Sequence, residues 1–140
     1  PSYGEMYDNG SSTAISVDAD WYVWTGSTTG DVKNVAYDAS ADKLTVSNAG
    51  EYDCSYSISF NTNMNGEILW CLFKNSSTML SKSRSGTTIA TDDNGYLKTV
   101  SGHCLVALSA NDYITLKVYY YDTGTVTTRF GNVKIVKIAN

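Results

Sequence analysis

The chain has one proline, one histidine, three cysteines and only 17% charged residues over 140 positions. Each scarcity argues against a class of function. His103 lies mid-strand beside Cys104, and adjacent strand residues point to opposite faces, so the two cannot form a nucleophile–base pair. No G-x-S-x-G, H-E-x-x-H or phosphate-cradling glycine loop occurs. The chain is read as non-enzymatic, with no cofactor and no metal. Cys54, Cys71 and Cys104 fall short of a disulfide framework and include no C-x-x-C pair, which disfavours structural zinc. They read as small buried hydrophobes, or as one bridge plus a free thiol. The ten Lys and Arg are scattered over a chain of net charge −4, so no basic stripe tracks phosphates and nucleic acid is not an expected partner. No apolar run approaches the roughly 20 residues of a membrane span, and the opening Pro-Ser-Tyr-Gly-Glu is not a signal peptide. A membrane partner is not expected either. Asp92-Asp93-Asn94-Gly95 reads as a turn, since it lacks the further spaced acids of a calcium loop. The acceptor patterns Asn9-Gly-Ser11 and Asn75-Ser-Ser77 matter only in a secretory pathway.

What is abundant is strand-forming material. Eleven tyrosines accompany many Ser and Thr, and no segment shows helical periodicity, so the chain reads as all-β. The clearest strand follows Gly50: Tyr52, Cys54, Tyr56, Ile58 and Phe60 face one way, Asp53, Ser55, Ser57 and Ser59 the other. Further strands are expected at Tyr3 to Tyr7, Thr13 to Val17, Trp21 to Trp24, Val32 to Tyr37, Lys43 to Val46, Glu67 to Lys74, Met79 to Ser81, Thr88 to Ala90, Leu97 to Leu108, Tyr113 to Tyr121, Thr125 to Phe130 and Val133 to Ile138. About ten strands separated by turn signals suggest a two-sheet antiparallel sandwich or jelly roll. Size scaling predicts roughly 7,000 Å² of exposed surface, with about two-thirds of the unfolded chain's surface buried.

Two strands are apolar on both faces. In Glu67 to Lys74, Ile68, Trp70 and Leu72 alternate with Leu69, Cys71 and Phe73. In Asp112 to Tyr121, Ile114, Leu116 and Val118 oppose Tyr113, Tyr119 and Tyr121, although Lys117 shares the tyrosine face and lysine is depleted in interface cores. One face of each strand meets the core, and the other needs cover. A subunit contact through Leu69, Trp70, Leu72, Phe73, Tyr119 and Tyr121 is therefore expected.

The pattern Gly50-x-Tyr52-x-x-x-Tyr56-x-Ile58-x-Phe60 resembles the central strand of the tumour-necrosis-factor and complement globular-head family. Lys43-Leu-Thr-Val46 before it, Ile68 to Lys74 followed by Asn75, and Ser101-Gly102 with Leu105, Leu108 and Ala110-Asn111-Asp112 resemble that family's other pieces in order. Phe130-Gly131 and the strand to Ile138 resemble its closing strand. Asn111 stands where the family has glycine, a tolerable change because asparagine visits left-handed backbone. The resemblance covers residues 32 to 138 and implies a jelly roll that assembles as a homotrimer.

The opening Tyr3-Gly-Glu-Met-Tyr7 is similar to starts of tailed-bacteriophage structural proteins. Proline at position 1 fits a chain that has lost only its initiator methionine, or a trimmed mature product. No collagen triplet, heptad or linker appears, which favours a capsid decoration (cement) protein over a fibre tip. The expected partner is then the major capsid protein, the place the capsid surface of a virion made in a host cytoplasm. Residues 1–12, with Tyr3, Met6 and Tyr7, are expected to contact the capsid as a segment without its own core, and residues 13–140 to form one jelly-roll domain. The alternative is a receptor- or glycan-binding trimeric head, with Trp21, Tyr22 and Trp24 as ligand anchors unless they lie in the core.

Overall fold

A computed structural model describes all 140 residues. Twelve strands form two antiparallel sheets. They are β1 (Tyr3–Asp18), β2 (Trp21–Val23), β3 (Thr28–Lys33), β4 (Val35–Asp38), β5 (Lys43–Val46), β6 (Gly50–Thr62), β7 (Gly66–Lys74), β8 (Thr78–Met79), β9 (Ser85–Ile89), β10 (Lys98–Leu108), β11 (Tyr113–Tyr119) and β12 (Thr123–Ala139). The first sheet runs β10-β6-β12-β1-β3. The second runs β4-β5-β11-β7-β8, with β2 lengthening the β5 side of β11 and β9 the β8 side of β7. The exposed surface is 6681 Å², close to the size expectation.

The alternation in β6 sets the sandwich. Tyr52, Cys54, Tyr56, Ile58 and Phe60 are buried between the sheets, where they meet Ile68, Trp70 and Leu72 of β7 and Ile114, Leu116 and Val118 of β11 in one core. Tyr56 keeps its hydroxyl satisfied there, its one hydrogen lying between the carbonyls of Trp70 (3.0 Å) and Ser83 (2.7 Å), which ties β6 to β7 and to the turn at Ser83.

Two expected pairs of strands are each continuous. Tyr3–Tyr7 and Thr13–Val17 form the single strand β1, and residues 125–130 and 133–138 belong to β12. The Asp8-Asn9-Gly10 turn signal produces an irregularity in the pairing between Asn9 and Thr13. Asp8 Oδ1 accepts from the backbone N–H and the hydroxyl of Ser11, so the local loop is absorbed without reversing the chain. Residues 1–12 therefore do not form a segment without a core: β1 lies between β12 and β3, and Met6 is fully buried.

Asn111 adopts φ +74°, the left-handed conformation expected of it. The next residue fixes the turn. Asp112 accepts from Asn75 Nδ2 at 2.7 Å and from the Ser109 N–H at 2.8 Å, while Asn75 Oδ1 takes the Tyr113 N–H. These bonds, Asn75 first, hold the Asp112 carboxyl below its ordinary value of 3.8. Because the folded value is the lower one, the contribution is complete above about pH 5 and is lost as pH falls through the folded value. Asp112→Ala is expected to cost about 1 kcal/mol at pH 7, and the difference from wild type in urea melts should shrink as pH falls below the ordinary carboxylate value.

Candidate interaction face

The outward face of the first sheet is where the molecule leaves apolar surface open. Strand register places Leu105, Asp53, Val136, Tyr3 and Lys33 in one row across β10, β6, β12, β1 and β3. The next rows are His103, Ser55, Lys134 and Glu5, then Ser101, Ser57, Asn132 and Tyr7, then Thr99, Ser59, Phe130 and Asn9. Leu105, Val136, Ile138 and Phe130 are 56%, 37%, 54% and 42% exposed. With Tyr3 they make five of the nine exposed large hydrophobic residues, and none of the nine lies in a strand of the second sheet. Their rim surrounds a floor of hydroxyls, with Ser59 bonded to Thr99 at 2.8 Å. A groove of about 430 Å³ crosses this floor beside Tyr7, Asn9, Ser57, Phe130 and Asn132. Small side chains let another backbone approach closely, while the rim supplies apolar area.

The second sheet has no comparable opening. Trp70 and Leu72 are fully buried in the chain's own core and have no surface to offer a partner. On the outer side, Trp21 stacks on Phe73 and Tyr119 at centroid distances of 5.3 and 5.4 Å. Lys117 lies over the Phe73 ring at 4.5 Å and donates to the Ser76 carbonyl. Leu69 and Tyr119 are half-buried, and Tyr121 is exposed beyond the end of β11. The contact expected through these six residues is thus corrected for Trp70 and Leu72: the cover that β7 and β11 require is largely supplied by Trp21 and Lys117 of the same chain.

Other expected sites separate in the same way. Met6 is buried, whereas Tyr3 and Tyr7 point outward on the first sheet. Trp24 is fully buried, and Trp21 and Tyr22 are half-buried, so this trio does not form an exposed anchor. His103 is exposed and Cys104 buried, on opposite faces of β10. No three His, Cys, Asp or Glu side chains converge to hold a metal ion. Asp92 and Asp93 sit in a short 3-10 turn, with Asp93 paired to Lys98 at 3.2 Å.

The residues that sequence reasoning missed, Leu105, Val136, Ile138 and Phe130, carried a usable signal. In Cys104-Leu-Val106 and Ile135-Val-Lys-Ile138 an apolar residue falls on the parity opposite to the core, in strands whose inward set is already complete.

The sheet order and the two faces can be compared with known folds. Eiger TNF from S. frugiperda superimposes with a TM-score of 0.76 at 12% identity, over 100% of this chain and 95% of that one. The architecture is a TNF-like jelly roll. The globular domain of zebrafish complement 1qA protein matches this jelly roll with a TM-score of 0.63 at 12% identity, covering 100% of both chains. Murine APRIL gives 0.59 at 14%, over 97% of this chain and 99% of that one. No family model and no curated protein sequence matches the chain. At these identities the likeness is one of fold, so the TNF-like jelly roll carries its own face chemistry.

Proposed function

We propose that the chain is the subunit of a homotrimeric, non-enzymatic head that assembles through the outward face of the first sheet. The observation that carries this reading is the concentration of exposed Leu105, Val136, Ile138, Phe130 and Tyr3 on that face. A stable contact takes about 800 Å² from each partner, and a five-stranded sheet face supplies that scale of surface.

Within this reading the trimer serves a tailed-phage particle as a decoration protein bound to the major capsid protein. Two features support it. The opening Tyr3-Gly-Glu-Met-Tyr7 is similar to phage structural proteins. Cys54, Cys71 and Cys104 are all buried and unpaired, which suits folding in a reducing cytoplasm better than in a secretory pathway. With Met6 buried and Tyr3 and Tyr7 on the proposed subunit face, the capsid contact falls to an end of the sandwich. Particles lacking the protein should stay assembled and lose heat or salt resistance, since bound cement stabilises by mass action. Unchanged resistance would remove the decoration role.

A second reading, a receptor- or glycan-binding head, is favoured by the loop end of the sandwich. There Tyr96 and Leu97 are exposed, as is Tyr121, whose ring packs by Gly66. The Gly95 N–H donates to the Thr62 carbonyl and the Tyr120 hydroxyl to that of Asn65, which ties these loops together. Glycan or cell binding that is lost in Tyr96→Ala and Tyr121→Ala variants, with trimer mass unchanged, would select this reading over decoration.

A further inference from the structure

Cys54 and Cys104 are Cα partners across β6 and β10, and both side chains belong to the core between the sheets. Directly opposed residues of an antiparallel pair have Cα atoms about 4.5 or 5.5 Å apart, and both distances lie within the roughly 4.4–6.8 Å span of a disulfide. The two thiols differ in access. Cys54 is sealed, whereas Cys104 retains 5% exposure and lines a groove of about 210 Å³ with Leu80, Ser81, Lys82 and Leu105. Its strand, β10, is an edge of the first sheet, so opening it breaks pairing on one side only. Cys71 is near enough to act on Cys104 electrostatically, but it is not its strand partner. It lies outside the shared core, with Sγ 3.3 Å from the Leu80 carbonyl oxygen and 3.5 Å from Ser83 Oγ.

We propose that Cys104 is an entry site for thiol–disulfide exchange with a small soluble disulfide, and that Cys54 resolves the adduct into a Cys54–Cys104 cross-strand bridge. The Cys104 thiolate attacks one sulfur of the small disulfide, whose S–S bond breaks and releases one thiolate. The Cys54 thiolate then attacks the Cys104 sulfur, breaking the mixed disulfide and releasing the second. Two protein thiols are oxidised, one small disulfide is reduced to two thiols, and these carry away the two protons. Burial pushes both protein thiols above their ordinary value of 9.0, so the exchange is slow at neutral pH and quickens as pH rises. The chemistry does not depend on the virion reading. In a particle made in reducing cytoplasm it would close the bridge only after release.

The folded wild-type protein, incubated with oxidised glutathione at mildly alkaline pH, should drop from three free thiols to one. Its mass should fall by about 2 Da, as one exchange cycle requires. Peptide mapping should join the Cys54 peptide to the Cys104 peptide. Closing a loop of about 50 residues should raise the melting temperature by roughly 10 °C, reversibly on reduction. Cys54→Ser should stop at a glutathione adduct on Cys104, and Cys71→Ser should bridge as wild type does. Three thiols surviving the incubation, a wild-type adduct on Cys104 that never resolves, or a bridge containing Cys71 would each overturn the proposal.

Discussion

Val136→Asp is expected to convert the proposed trimer into monomers of 15.2 kDa at micromolar concentration, with the jelly roll still folded. Val136 lies outward on β12, and its partner on β6 is Asp53, which is followed in the row by Leu105. A carboxylate there loses apolar contact area and adds a like charge beside Asp53, and threefold symmetry repeats the pair at every contact. Like-charge juxtaposition in an interface costs several kcal/mol, and each ~1.4 kcal/mol is tenfold in affinity, so association should weaken by at least about a hundredfold. The monomer's core is untouched because the side chain points away from it. Sedimentation and light scattering read the mass, and the near-ultraviolet spectrum reads the fold. Tyr119→Asp is the discriminating control. It should disturb the Trp21 stack and leave the mass of the assembly unchanged. The opposite pattern, with Tyr119→Asp dissociating and Val136→Asp trimeric, would move the contact to the second sheet.

That control marks the point at which sequence patterning stopped being sufficient. The period-two alternation from Tyr52 to Phe60 specified a strand, its buried face and its place in the core, because the burden falls on residues adjacent along the chain. The same reasoning identified two apolar faces on β7. It could not reveal that Trp21, some fifty residues earlier, folds over Phe73, since pairing of β2 with β11 is a non-local event. The outward set of β6 was less legible: Ser55, Ser57 and Ser59 are small and polar, and only the strand register places them beside Leu105, Val136 and Phe130. Asn111 was legible from residue type, and its positive φ shows why that position takes asparagine; Asn75 shares the left-handed backbone without having been singled out for it. The Asp8-Asn9-Gly10 turn signal separates two expected strands, Tyr3 to Tyr7 and Thr13 to Val17. The hydrogen bonds from Ser11 to Asp8 and long pairing with β12 kept the strand running through it.

Trp24→Ala is expected to lower stability by about 3–5 kcal/mol, the usual cost of removing a fully buried large aromatic side chain. Against a total of roughly 5–15 kcal/mol for a domain, that loss brings the protein near the edge of folding. Trp24 follows β2, donates its backbone N–H to the Leu116 carbonyl at 2.8 Å and packs its ring against Gly131. A Cβ at position 131 would stand 2.7 Å from Trp24 Cζ2, so that glycine exists to admit the indole. The indole N–H has no hydrogen-bond partner, and leaving a buried donor unpaired costs about 1–3 kcal/mol. Trp24→Phe should therefore lose less than truncation would suggest, about 1–2 kcal/mol, because the smaller ring removes the orphaned donor along with part of the packing. Urea titration of the two variants measures both values under one set of conditions. If Trp24 served as a ligand anchor, Trp24→Ala would leave the unfolding midpoint in place and abolish binding, and the buried position argues for the reverse.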